Sequence, residues 1–354
     1  MQIHLFEPSG YAGVFQHTCR LAELLAGDGH RVVLHTGHEH EPLAPREVEL
    51  CECTRWPRHE PRSRARSARI AARLVTRTLP HLWRTAEPGS VLHVQGIAAG
   101  GPLTALTLAA GRLRGLRTVY SPHDAFSRRG SLDGVLLRLA VRLPHAVVVH
   151  SRADVEQLGR RAVAAWRSPL VQVVPEAGAD SRRRWREAWR ASDGDQVVLF
   201  AGWIRPEKRL DLLIECARSW PPERRLAVVG VDRGAWPECE ALARRYGLDV
   251  SVRLGFLPLE DFTAALSAAD LVVAPHQLAS QSGVLEVARQ LGVPTVAARV
   301  GGMAEIASSS FAVNDPVSLN RAIDALLANG ERPAPVLDEE GALEAHLGAY
   351  GRPR

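Results

Sequence analysis

The stretch VVLFAGWIRPEKRLDLL, residues 197–213, ends an apolar run at Gly202 and then brings Arg205, Lys208 and Arg209 within five residues. Arginine offers a planar fork that matches phosphate oxygens, and lysine a compact, mobile charge. An amphipathic run with Leu210, Leu212, Leu213 and Ile214 follows, which sets the cations at a helix N-terminus. Backbone amides there already favour an anion, and cations alone would oppose the helix dipole. The arrangement points to a phosphate or diphosphate ligand; plain surface charge is the other reading. A second stretch, HQLASQSGV (276–284), is small and polar and again opens a helix. Ser280, Ser282 and the amides of Gly283 and Val284 suit an anion. His123 and Asp124 directly follow an apolar run, where polar side chains would meet a ligand, although a structural role for His123 stays open. In EPSGYAGVFQH (7–17), Gly10 and Gly13 would let backbone approach a ligand closely, or simply make a tight turn. VGGMAEI (300–306) sets a double glycine before Glu305.

Other chemistries are excluded or unsupported. The chain has neither G-x-x-x-x-G-K-[ST] nor a G-x-G-x-x-G with a suitably spaced acid, so P-loop and Rossmann dinucleotide fingerprints are absent. Cys51 and Cys53 form a Cys-x-Cys pair without a partner pair at metal spacing. The histidine-rich HTGHEHEP (35–42) reads as a loop with no cysteine near it in sequence. Neither is read as a metal centre.

The elements that must position these residues alternate. Apolar runs at 3–6, 31–36, 91–94, 117–121, 146–150 and 171–174 read as strands separated by helical periodicity. The rhythm restarts at 197–202, 225–230, 250–255, 270–275 and 294–298. Strands buried on both faces and alternating with helices imply an α/β fold with parallel sheets. The expectation is two tandem doubly wound, Rossmann-like domains, 1–180 and 181–335, with ligand loops after the strands facing a cleft. The polar stretch PEAGADSRRRWREAWRASDGD marks the boundary, and the tail over about 338–351 is helical in character.

The 354 residues suit two domains, and 46% hydrophobic with 23% charged residues is a globular composition. No run reaches the length of a membrane span, and MQIHLFEPSG does not read as a secretory signal. Five scattered cysteines suit reduced thiols in a cytoplasm. The net charge of +5 is unevenly placed: residues 58–77 hold seven arginines against one glutamate, and 181–190 hold five more. Such faces favour anionic partners, or are solvated helix faces. Aromatic residues are not interleaved with them, so no nucleic-acid partner is expected.

The order and spacing of these loops, from HTCRLAELLAGDGHRVVL to DPVSLNRAIDALL, resemble the GT-B-fold glycosyltransferases, specifically the large retaining family 4. The resemblance implies transfer of a sugar from a nucleotide-diphosphate-sugar to an acceptor hydroxyl, with retention and without metal or other cofactor. It puts Gly13, Arg205, Lys208, Ser282, Gly283 and Val284 at the donor diphosphate, with His123, Arg205 and Lys208 as the catalytic set. Glu286 and Asp124 would meet the ribose or sugar, and Arg253 and Leu254 the base. It also implies a last helix that crosses back onto the first domain. That domain handles the acceptor in the family, so Arg58–Arg77 is expected to meet an anionic membrane surface carrying it, at the inner face of a cytoplasmic membrane. Departures are present. Ala279 and Val287 stand where the family has two glutamates eight apart, and Glu286 is one residue early, roughly a 100° turn on a helix. Either a local bulge brings Glu286 to the ribose, or the donor is bound differently. Gly202-Trp203 replaces Gly-Arg, and PEAGAD replaces P-N-G-x-D. A catalytically silent partner subunit and a nucleotide-sugar isomerase or hydrolase are the alternatives.

Overall fold

A computed structural model describes residues 1–54, 63–96, 101–123, 140–158 and 164–351. The chain divides into two compact units, Met1–Val173 with Asp338–Arg354, and Val174–Leu337. The first holds a seven-stranded, all-parallel sheet in the order β3-β2-β1-β4-β5-β6-β7. Its strands are β1 Gln2–Phe6, β2 Arg31–Gly37, β3 Glu49–Thr54, β4 Val91–Gln95, β5 Arg117–Ser121, β6 Ala146–Val149 and β7 Ala165–Arg167. The second holds six parallel strands, β10-β9-β8-β11-β12-β13. These are β8 Gln196–Ile204, β9 Arg224–Asp232, β10 Val250–Leu254, β11 Leu271–Ala274, β12 Thr295–Ala298 and β13 Ser309–Phe311.

Central strands are apolar on both faces because helices cover both. Ile3, Leu5, Val32, Leu34, Val119 and Val148 pack under the helix Ala12–Gly27 with Phe15, Leu21 and Leu25. The helix Glu339–Ala349 joins the same core through Leu347 and Ala349, followed by Tyr350. Arg117 donates to the Ala349 carbonyl (2.9 Å), and Arg20 pairs with Glu339 (2.5 Å), so the end of the chain is held on the first unit.

The division falls before Val174 rather than after residue 180. Val174 and Trp185 already pack into the second sheet's core with Val197, Leu199 and Val287, so the helix Ala179–Ala188 belongs to the second unit. The run VQVV (171–174) is not a strand; the seventh place in the first sheet is taken by the short β7. Gln172 instead turns its amide to the Gly13 carbonyl (3.2 Å).

Candidate functional site

In the second unit three loops meet at the ends of the neighbouring strands β8, β11 and β12. Past β8 the chain makes a 3-10 turn, Pro206–Lys208, passes through Arg209 in the left-handed region (φ 52°) and enters the helix Leu210–Ala217. The Gln277 amide donates to the Glu207 carbonyl (2.8 Å), joining this turn to the 276–284 loop. Lys208 Nζ lies 3.1 Å from His276 Nδ1. Gly202 adjoins Val284, whose methyl lies 3.4 Å from where a Cβ on Gly202 would stand. Ser282 caps the helix Gly283–Gln290 and accepts from the Leu285 amide, so Gly283 and Val284 open that helix. The third loop docks through the Gly302 amide, which donates to the Ser280 carbonyl (2.8 Å). The structure therefore brings Arg205, Lys208, Ser282, Gly283 and Val284 together on adjoining loops of one unit.

The three cations of the opening stretch are held differently. Arg209 donates to Asp211 (3.0 and 3.1 Å) and to Asn314, so it ties the helix start to the 314 turn. Arg205 lies over the Trp203 ring (5.6 Å) with Glu207 at 3.7 Å, and Arg233 approaches the same ring (4.6 Å). Glu286 is 2% exposed and accepts from Arg289 (2.7 Å) and Gln290 (3.1 Å). Its helix runs from Gly283 to Gln290 as one α-helical segment, without the bulge considered above. Val287, at the family's glutamate position, is buried in the core, as is Ala279. Arg253 and Leu254 are exposed at the end of the edge strand β10, with β9 between them and β8.

In the first unit, His123 follows β5 and its Nε2 lies 2.8 Å from Gln95 Oε1. It stacks with His150 (centroids 5.0 Å) and meets His17 edge-on (5.1 Å). Sequence reasoning missed both partners, because His17 looks like one more position of a helix and His150 like the end of a strand. His17 Nδ1 donates to the Val171 carbonyl (2.8 Å) and His150 Nδ1 to the Ser168 carbonyl (3.2 Å), which leaves each Nε2 as the acceptor nitrogen. Burial holds all three well below the usual histidine range, so they are neutral at physiological pH. Asp124 lies outside the described residues.

Carboxyl groups already engage the amides of the glycine loop. The Gly10 amide donates to Glu7 (2.7 Å) and the Ala12 amide to Glu41 (2.5 Å). Gly13 stands at the start of the helix Ala12–Gly27. Burial raises Glu7 to about 7.

Among the described residues, two groups of side chains have donor atoms gathered as a metal ion requires. Those of His17, His123 and His150 lie within 4.8 Å of one another, as do those of His35, Cys51 and Cys53. The second corrects the sequence reading: His35 is in β2, not a loop, and pairs in register with Cys51 on β3.

Comparison with known proteins agrees with this architecture. Residues 11–172 match the family described as Glycosyltransferase Family 4, and residues 181–338 match Glycosyl transferases group 1. The chain belongs to this glycosyltransferase family, with two Rossmann-like units of the GT-B type. Among curated relatives, the D-inositol 3-phosphate glycosyltransferases of Mycobacterium tuberculosis and Mycobacterium bovis are 33% identical over 126 residues. That match covers 34% of this chain and 26% of the relatives' length. Sucrose-phosphate synthase from Thermosynechococcus elongatus superposes with a TM-score of 0.74 at 18% identity, covering 99% of this chain and 95% of that one. HepE of Anabaena, solved with UDP-glucose, gives 0.72 at 16% identity, covering 99% and 95%. At these identities the likeness is one of fold.

Proposed function

We propose that this chain transfers a sugar from a nucleotide-diphosphate-sugar to an acceptor hydroxyl, with retention at the anomeric carbon and no metal ion in the reaction. The observation that carries the reading is the joining of the turn that bears Lys208 to the loop that leads into the Ser282-capped helix, through Lys208–His276 and the Gln277 amide on the Glu207 carbonyl, in a chain of this family. As the bond from the anomeric carbon to the diphosphate oxygen breaks, negative charge grows on the leaving phosphate. Fixed cations and amides stabilise that charge more in the transition state than in the ground state, which is the condition for rate enhancement. Arg205, Lys208 and the amides of Gly283 and Val284 would fill this role. The new bond forms on the face the leaving group vacates, and the acceptor proton passes to the departing phosphate oxygen. No protein base is required. Neutral His123 would hydrogen-bond the donor sugar, and Arg253 with Leu254 would meet the base. Glu286 would have to release Arg289 to reach the ribose.

That engagement, with Val287 buried at the usual glutamate position, favours one second reading: a partner subunit that keeps the fold and has lost transfer. For the acceptor we propose a hydroxyl on a membrane-associated carrier, with the protein peripheral to the cytoplasmic face. Arg64, Arg69 and Arg77 are exposed, while Arg58 lies outside the described residues. Among the described residues no helix is long and apolar enough to cross a membrane. Sedimentation with anionic vesicles should occur at low salt and fade as salt rises; failure to sediment at any salt removes the membrane from the proposal.

The deciding experiment is thermal unfolding with UDP, GDP, dTDP and ADP, each with and without EDTA. At about 100 times its Kd a ligand stabilises by roughly 2.7 kcal/mol. An increment with one nucleotide that EDTA leaves unchanged names the donor class and supports metal-free transfer. No increment with any of them favours the silent subunit.

A further inference from the structure

Far from those loops in sequence, β2 and β3 bring three soft or borderline ligands together, His35, Cys51 and Cys53, and the helical segment after β3 sets a fourth, His81, beside Cys51. Parallel pairing sets His35 opposite Cys51. Cys51 and Cys53 are two apart on β3, so the strand pleat points both thiols to one face. The helix Leu79–Thr85 lays His81 on that face, with Nε2 3.2 Å from Cys51 Sγ. Cys53 Sγ lies 3.6 Å from His35 Nδ1. A π-helical turn, Leu74–Thr78, precedes this helix, and Thr78 Oγ1 donates to the Cys53 carbonyl (3.0 Å), fixing the helix start against β3.

We propose that His35, Cys51 and Cys53 form the core of a tetrahedral structural zinc site that staples the edge of the first sheet, with His81, beside Cys51, turning in as the fourth ligand. With zinc–sulfur bonds of about 2.3 Å and zinc–nitrogen bonds of about 2.0 Å, the sulfur–nitrogen edge of a tetrahedron is about 3.5 Å. The two observed sulfur–nitrogen separations, 3.2 and 3.6 Å, bracket that edge. Two thiolates with two imidazoles select zinc over the hard cations, which prefer oxygen.

The surroundings fit a metal-bound His35. Its Nδ1 faces the sulfurs, while its Nε2 lies 2.9 Å from His4 Nδ1. An imidazole that gives its Nδ1 lone pair to a metal must carry its proton on Nε2, and His4 is placed to receive that hydrogen bond, the usual outer partner of a metal-bound histidine. A disulfide is a poor alternative, since residues two apart on a strand sit about 6.7 Å apart with parallel side chains, at the limit of disulfide geometry.

The site also explains how this edge is held. β3 is the edge strand, and the helix Arg64–Arg73 that follows it buries no residue. Leu74, Thr78 and Leu82 are the buried side chains of the segment from Leu74 to Thr85. Apolar packing this thin leaves room for a metal to stabilise the fold directly.

The test is metal analysis of the full chain purified from zinc-supplemented medium without chelator. Zinc near one equivalent per chain is expected, falling below about 0.1 in the Cys51→Ser, Cys53→Ser double variant. Should that variant not fold, the wild-type chain answers alone: a mercurial that blocks its thiolates should release the zinc, and cobalt(II) in its place should give a thiolate-to-cobalt absorption band. Wild-type protein with under about 0.1 equivalent and no cobalt band overturns the proposal. Zinc that persists in the folded double variant overturns it too, as does a Cys51–Cys53 disulfide in the native protein. Donor transfer is not involved, so the nucleotide increment in thermal stability should survive zinc loss in the double variant.

Discussion

Arg209 is engaged by Asp211 and Asn314, whereas Arg205 rests on Trp203 and Lys208 reaches His276. Sequence spacing could not separate the three, since each falls in the same short stretch before a helix. The structure predicts that they respond differently to substitution. Lys208→Met should weaken nucleoside diphosphate binding by about 10- to 100-fold, the loss expected for one charge-assisted hydrogen bond. Binding of the matching nucleoside, which carries no phosphate, should change less than about twofold by the same measure. Arg209→Lys should leave diphosphate affinity near wild type and lower stability instead. Titration calorimetry of both ligands against both variants checks the assignment; equal losses for nucleoside and diphosphate would place Lys208 away from the phosphates. His123 was legible because it directly follows a strand. His17 and His150 were not, since what joins them is contact across an interval of more than a hundred residues.

Among the elements, the strands with both faces covered were read within a residue or two, because burial on both sides forces continuous apolar runs. The shorter or more polar β3, β7 and β13 were missed, and these lie at sheet edges, where one side needs no apolar cover. VQVV has a strand's composition but no neighbouring strand to pair with beyond β7. Ser282 and Asp315 cap their helices in the ordinary way, a role the sequence reading did not assign to either. One constraint at this scale is invisible without coordinates. Gly202 and Gly230 are opposite each other on β8 and β9, and a Cβ on Gly230 would fall 1.7 Å from the Gly202 carbonyl oxygen. Since the clash is with backbone just before the Pro206–Lys208 turn, the strands must separate or twist. Gly230→Ala should cost about 3 kcal/mol or more. Gly194→Ala, where a Cβ meets nothing within 4 Å, should stay within about 0.5 kcal/mol. Urea unfolding of both variants reads this directly, with an unchanged slope required for the comparison.

Across the whole molecule, the two units carry unequal titratable loads. His17, His93, His123, His150 and His346 cluster in the first unit through ring contacts. The second unit has a single histidine, His276. Burial depresses all five of the first unit's cluster, His346 to about 4 and the others well below the ordinary 6.5. A depressed histidine takes up its proton in the unfolded chain first, so its contribution to stability is full above pH 6.5 and is lost as the pH falls. At pH 5.5 each such group costs roughly 1.4 kcal/mol. Glu7 works in the opposite sense: raised to about 7, it favours the fold as it protonates. Between pH 7.5 and 5.5 that returns roughly 2 kcal/mol, several-fold less than five histidines take away. Asp232 and Asp315 of the second unit are held below their usual range and titrate under this window. Calorimetry over this interval should therefore show two transitions. That of the first unit should move down by about 10 °C or more, and that of the second by less than about 3 °C. Limited proteolysis at pH 5.5, just above the first transition, should release peptides from Met1–Val173 while Val174–Leu337 stays resistant. One transition that moves as a whole would mean that the units unfold together and that the acid sensitivity of the histidine cluster is carried by the entire chain.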